Sequence, residues 1–233
     1  MLEVRNIAFS WGAANLLEDV SFSVAPGETA VLAGANGVGK TTLLKILAGL
    51  CCPSSGTVLA DGVDTFAQPL RFRRIMGYLP ESAPADPDLT VKRYLRYRAT
   101  LRGEMSKKIR HRVLEAMNLC GLEDHADTYI GTLSFGLRKR VALADALLLR
   151  PRFLLLDDLL AGLDPATRFS FGRILAAISS FAAIIMSGHE IDELASWATK
   201  FYVLQSGHIL GAKTAFGVKN LLGLAPRTEG GAA

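Results

Sequence analysis

Long apolar runs are missing from this chain, although half of its 233 residues are hydrophobic and its mean hydropathy is +0.27. The longest candidate, Ile174 to Met186, is interrupted by Ser179 and Ser180 and falls short of the roughly eighteen apolar residues that a membrane span needs. A soluble chain is expected. Cysteine is scarce: Cys51, Cys52 and Cys120 are an odd number without metal-ligand spacing. They read as reduced thiols of a cytosolic protein, with a redox pair at Cys51-Cys52 as the alternative. No charged stretch followed by an apolar one opens the sequence. Glu3 and Arg5 alternate with Leu2, Val4 and Ile7 as they would in a strand, so no export leader is expected. Acid is nearly absent between Lys92 and Arg112, where nine Lys or Arg residues face one glutamate, Glu104. Such a run reads first as the solvated face of a helix pair. Anionic lipid and nucleic acid are the other partners a basic face suits, but no nucleic-acid recognition motif accompanies it.

What is present begins with Gly34-Ala35-Asn36-Gly37-Val38-Gly39-Lys40-Thr41-Thr42, which fits G-x-x-x-x-G-K-[ST]. An apolar run, Thr29 to Ala33, leads in, and a helical pattern, Thr41 to Leu50, leads out. That order of strand, loop and helix is the context a phosphate-binding loop requires. Glycines at Gly34, Gly37 and Gly39 permit the backbone angles that turn successive N–H groups inward, and the first N–H groups of the helix add to the anion site. Lys40 is expected to reach the β- and γ-phosphates and Thr41 to place its hydroxyl on Mg²⁺.

Leu2 to Phe9 and Val20 to Val24 alternate apolar and polar residues, which predicts antiparallel strands with one wet face. Trp11, expected in a loop between them, is a candidate to stack on an adenine ring and equally a packing residue. Thr57 to Ala60 and Ile75 to Leu79 read as strands. From Thr90 to Leu149 the pattern is helical, with segments Val91 to Leu101, Ile109 to Leu119 and Phe135 to Leu149, and predicts a helical insert in an α/β core. Phe153 to Leu156 is an apolar run ending in Asp157-Asp158. Ligands of open α/β sheets sit at the carboxyl ends of strands, so these acids point toward the nucleotide, and an acid so placed holds Mg²⁺. Asp164 is suited to cap the helix that follows it, and the strand Ala182 to Ser187 delivers His189 to the same edge, within reach of a γ-phosphate. Lys200 to Leu204 with Ile209-Leu210 predicts a closing hairpin.

Over nearly its whole length the sequence resembles a nucleotide-binding subunit of the ATP-binding cassette (ABC) family, most specifically through Leu133-Ser134-Phe135-Gly136-Leu137 and Arg138-Lys139-Arg140, which resemble the family's signature. Ser134 is placed to cap a helix whose start, with the Gly136 N–H, makes a second anion site. By the family's pattern that site closes over ATP held by a second subunit, identical or not. The resemblance implies ATP and Mg²⁺ as cofactors, with Trp11 on adenine, Gly34 to Thr42 on the triphosphate, and Asp157 on Mg²⁺ together with Thr41 and Glu81. It further implies Asp158 as the base, Asp164 as a bridge across the dimer and His189 on the γ-phosphate. The implied fold is α/β: a P-loop core with a mixed sheet, an N-terminal antiparallel β subdomain and an inserted α-helical subdomain. Residues 1–81 and 151–224 would form the core, 82–150 the helical subdomain and 225–233 a disordered tail.

Three residues depart from the pattern. Asp158 stands where a glutamate is usual, Phe135 where the signature has a glycine, and Glu81 where a glutamine is usual. Leu159-Leu160 also replaces a proline-containing pair. The shorter Asp158 predicts slow hydrolysis. Glu81 resembles cassettes serving two-gene export systems of the ABC-2 type, which implies an exporter ATPase working with a separate transmembrane permease on the cytoplasmic face of the cell membrane. The alternative is a near-inactive, ATP-gated module paired with an active sister cassette. The short interval from Lys40 to Ser134 leaves no room for a coiled-coil arm, and a single cassette argues against the ribosome-acting branch.

Overall fold

The computed structural model describes residues 1–12, 14–82, 86–212 and 214–223. The tail expected over 225–233 lies outside them. Ten strands are found among the described residues: β1 (Leu2–Trp11), β2 (Ala14–Val24), β3 (Thr29–Ala33), β4 (Ser55–Ala60), β5 (Val63–Asp64), β6 (Met76–Leu79), β7 (Phe153–Leu156), β8 (Ala183–Ser187), β9 (Lys200–Gln205) and β10 (His208–Ala212). The helices are α1 (Lys40–Leu47), α2 (Pro69–Arg73), α3 (Val91–Leu101), α4 (Ser106–Cys120), α5 (Phe135–Leu147), α6 (Pro165–Ser179), α7 (Ile191–Ala195) and α8 (Ala215–Leu221).

The strands form an antiparallel sheet in the order β2-β1-β4-β5 and a mixed sheet in the order β10-β9-β3-β8-β7-β6. In β1, strict alternation would turn Asn6 inward after Leu2 and Val4. Instead the ladder shifts at Asn6, whose φ is 50°, and Ile7 and Phe9 become the buried residues. The hairpin runs on to the pair Trp11↔Ala14, so Ser10 and Trp11 belong to β1 and not to the expected loop. Pairing with β2 satisfies backbone groups that a loop would leave to water.

β3 is buried on both faces, as a parallel strand between neighbours should be. Its alternate residues feed two cores. Ala30 and Leu32 pack with Leu2, Ile7, Leu43 and Leu155 toward the antiparallel sheet, while Val31 and Ala33 pack with Leu154, Met186, Leu95, Met117 and Leu143 toward α3, α4 and α5. The helical segment therefore continues the second core. Its basic run is not all solvated: Arg98 and Arg102 both pair with Asp145 on α5, at 2.9 and 3.0 Å, and Arg112 pairs with Glu104 at 3.2 Å. α2 was not legible in the sequence, because five residues are too few to show a period. The three cysteines are free.

In the parallel part of the mixed sheet, Leu79 lies level with Leu156, Leu156 with Met186, and Ser187 with Leu32. The carboxyl ends of β6, β7, β8 and β3 thus open at one edge. That edge carries Glu81, Asp157, Asp158, His189 and the glycine-rich loop.

Candidate nucleotide site

The loop between β3 and α1 is shaped by contacts that exclude side chains. A Cβ on Gly34 would lie 2.6 Å from the Leu204 carbonyl oxygen, and one on Gly39, whose φ is 111°, would press on Leu16 and Leu17. Gly39 is the N-cap of α1 without a side-chain cap, which leaves the first N–H groups of that helix to a ligand. Lys40 is buried, and its Nζ donates to the carbonyls of Gly34 at 2.8 Å and Ala35 at 2.9 Å. Burial holds this ammonium below the usual lysine range, and the charges of Asp158 and Asp157 oppose that shift.

Asp157 follows β7 and is buried to 2% exposure. Its Oδ1 accepts from the Thr41 hydroxyl at 3.1 Å and from Ser187 Oγ at 2.8 Å, and its Oδ2 accepts from the Tyr78 hydroxyl at 3.3 Å. Burial first, and the neighbouring Asp157 charge second, push the Tyr78 phenol above its ordinary value. Asp158 has a left-handed backbone, φ 45°, and its N–H donates to Ser187 Oγ at 2.9 Å. Its Oδ1 is buried and has no hydrogen-bond partner among the described residues.

These residues enclose a cavity of about 260 Å³, lined by Asn36, Gly37, Gly39, Lys40, Thr41, Thr42, Glu81, Asp157, Asp158, Ser187 and His189. It offers an ammonium and backbone N–H groups to phosphate, and hard oxygen donors to a cation. Among the described residues no group of three or more His, Cys, Asp or Glu side chains could hold a metal unaided. Mg²⁺ fits nonetheless, because this ion takes one or two protein oxygens and completes its shell with phosphate and water. The Thr41–Asp157 pair, with Glu81 on the same cavity wall, supplies such a set.

Of the residues expected at the site, Trp11, Ser134, Gly136 and Asp164 do not line this cavity. Trp11 is 77% exposed near the end of the first hairpin, tilted against Phe9 at 6.3 Å. Ser134 caps α5 by accepting from the Leu137 N–H at 3.3 Å, and it is exposed. Asp164 caps α6, accepting from the Thr167 N–H at 3.0 Å and the Thr167 hydroxyl at 2.6 Å; these bonds hold its carboxyl below the usual range. Gly136 faces Thr167, and a Cβ there would lie 2.9 Å from its methyl group. Gly34, Ala35 and Val38 shape the loop without lining the cavity. Sequence reasoning missed Ser187 and Tyr78. Ser187 was detectable as the polar end of an apolar strand, whereas Tyr78 looks like ordinary strand filler.

Among the described residues no helix is long and apolar enough to cross a membrane. Residues 17–161, more than half of the chain, match the model of the ABC transporter family. The chain is 32% identical over 209 residues to the uncharacterized ABC transporter ATP-binding protein YxlF of Bacillus subtilis, covering 90% of this chain and 69% of that protein. It is 32% identical to the lipopolysaccharide export system ATP-binding protein LptB of Escherichia coli K12, covering 91% and 90%, and 35% identical to the sulfate/thiosulfate import ATP-binding protein CysA of Methylococcus capsulatus, covering 89% and 61%. Among solved structures, the ATP-binding subunit of an ABC transporter superposes with a TM-score of 0.82 at 28% identity, covering 96% of this chain and 94% of that one. The dimeric bacterial ABC transporter cassette MJ0796 superposes with a TM-score of 0.80 at 25% identity, covering 90% and 96%. A family match across both the phosphate loop and the strand-end aspartates, with relatives above 30% identity along most of its length, makes this chain a member of the ABC transporter family, an ATP-binding cassette.

Proposed function

We propose that this cassette is the ATP-hydrolysing subunit of an exporter, peripheral on the cytoplasmic face of the cell membrane, and that it closes as a dimer over two ATP molecules to drive a separate transmembrane permease. The observation that carries the hydrolytic reading is the buried Oδ1 of Asp158, without a hydrogen-bond partner among the described residues, in the cavity that Asp157, Thr41 and Lys40 also line. An unpaired carboxylate oxygen is costly where it stands, and a substrate water can satisfy it.

In this reading the N–H groups of the loop and of the α1 start hold the phosphates, and Lys40 exchanges the Gly34 and Ala35 carbonyls for phosphate oxygens. Thr41, Asp157 and Glu81 hold Mg²⁺, which supplies charge neutralisation at the phosphates when bound. Asp158 orients the attacking water and takes its proton, and His189, exposed at the rim, donates to the γ-phosphate. Trp11 stacks on adenine. Ser134, Gly136 and Asp164 lie outside the cavity because their ligand is the nucleotide of the other subunit, whether identical or a sister cassette. Asp158 is one methylene shorter than glutamate, so turnover is slow.

Residues 82–150 act as the helical subdomain that meets the permease. A groove of about 1290 Å³ lies between the end of α1, α2 and β6 on one side and α3 and α5 on the other. Lys45, Arg71, Arg73, Arg74, Arg98 and Arg102 line it, and its one acid, Asp145, is already paired with two of them. A cytoplasmic permease helix with apolar and acidic residues suits it. LptB is named for export and CysA for import. Their likeness is comparable, so the export reading rests on Glu81. The dimer is tested by sedimentation of Asp158→Asn with Mg²⁺-ATP. ATP-dependent dimers that are lost in Asp158→Asn/Ser134→Arg support the proposal, and a monomer at saturating ATP contradicts it.

A further inference from the structure

Two of the departures from the family pattern, Phe135 and Asp158, meet at one side chain, Lys139 on α5. Lys139 is 4% exposed, and its Nζ donates to the Asp158 carbonyl at 2.9 Å and to the Ala161 carbonyl at 3.1 Å. These two carbonyls belong to one tight turn, since the Ala161 N–H also donates to the Asp158 carbonyl at 3.3 Å. The Phe135 ring covers the ammonium at 5.7 Å, a cation–π contact. The same ring lies over Gly162, where an added Cβ would come within 3.1 Å of Phe135 Cε1.

Asp158 occupies a left-handed backbone, an uncommon conformation for a non-glycine residue. Its N–H is held by Ser187 and its carbonyl by Lys139. With both ends of the residue fixed, the short side chain has only its own two torsions left to set. A buried cation also needs compensation, and the nearby charges of Asp158, Glu81, Glu190 and Asp157 supply it against the desolvation of Lys139.

We propose that Lys139, roofed by Phe135, is a positioning residue that fixes the turn 158–161 and so aims the Asp158 carboxylate at the attacking water. The inference rests on the reading of Asp158 as the base. It also gives Phe135 a reason: a glycine there would leave the buried ammonium without its cover.

The test uses the full chain with Mg²⁺-ATP and four proteins: wild type, Lys139→Met, Asp158→Asn and the double variant. ATP affinity by calorimetry is measured beside kcat. The expected result is that Lys139→Met lowers kcat about 10- to 100-fold, as a displacement near 1 Å can, while ATP affinity stays within about twofold. Asp158→Asn lowers kcat about 10²-fold, and the double variant is no slower than Asp158→Asn alone. If Lys139→Met does not fold, Lys139→Gln takes its place in the same cycle. Wild-type kcat in the Lys139 variant, or an equal loss on the Asp158→Asn background, overturns the positioning role alone. Wild-type hydrolysis by Asp158→Asn overturns the base reading and the inference with it.

Discussion

Tyr78 donates its hydroxyl to Asp157 Oδ2 across 3.3 Å, while its side chain lines the groove between the core strands and the helical segment. One side chain therefore touches both the carboxylate proposed to hold Mg²⁺ and the surface proposed to receive the permease. Partners of this kind orient a metal-binding carboxylate, and their loss commonly costs 10- to 100-fold in metal affinity. Asp157 keeps two other donors, Thr41 and Ser187, so the lower end applies. Tyr78→Phe is predicted to raise the Mg²⁺ concentration for half-maximal ATP hydrolysis about tenfold, with the melting temperature nearly unchanged. A magnesium titration at fixed ATP checks it.

Trp11 gives a clean test of adenine recognition, because at 77% exposure it contributes little to the core. Trp11→Ala is predicted to weaken ATP binding about five- to tenfold, the equivalent of roughly 1 to 1.4 kcal/mol of stacking. Inorganic triphosphate, which has no base, should bind both proteins equally. Calorimetric titration with the two ligands separates stacking from any effect on the loop.

Cys120 is fully buried against α5, and burial pushes its thiol far above the ordinary value of 9.0. A group whose value is raised on folding stabilises the native state fully below its unfolded value. That contribution is lost as pH rises beyond it, because the unfolded chain releases the proton first. The prediction is made for Cys120→Ala against wild type in urea at several pH values. At pH 7 wild type is more stable, by roughly 1 kcal/mol for the small cavity left. Above pH 9 the difference shrinks and reverses, because only wild type carries the thiol. A difference that stays constant from pH 7 to 10.5 contradicts this.

The extent to which the sequence disclosed the molecule follows from physical range. The phosphate loop, β7 with its two aspartates, and the Ser134 and Asp164 caps are local patterns, each set by residues within a few positions, and the structure places them as read. The closed end of the hairpin escapes a reading by alternation because the register shifts between Phe9 and Ser10 and Asp19 in β2 is left-handed, so the apolar period does not carry through either strand. Tyr78, Ser187 and Lys139 reach the site through bonds spanning 19 to 79 positions, and of the three only Ser187, the polar end of an apolar strand, carries a local mark. The basic run shows the same limit. Its charges are visible in the sequence, but Asp145, which pairs with two of them, lies one helix hairpin away.

The most direct test of the account is steady-state ATP hydrolysis by the purified chain, with Lys40→Ala as the blank and Asp158→Glu as the probe of base position. The account predicts slow but measurable turnover by wild type, none above background for Lys40→Ala, and faster turnover for Asp158→Glu, whose carboxylate reaches further into the cavity. Wild type and Asp158→Glu that both bind ATP yet hydrolyse no faster than Lys40→Ala would contradict it, and the chain would then be an ATP-gated clamp rather than an engine.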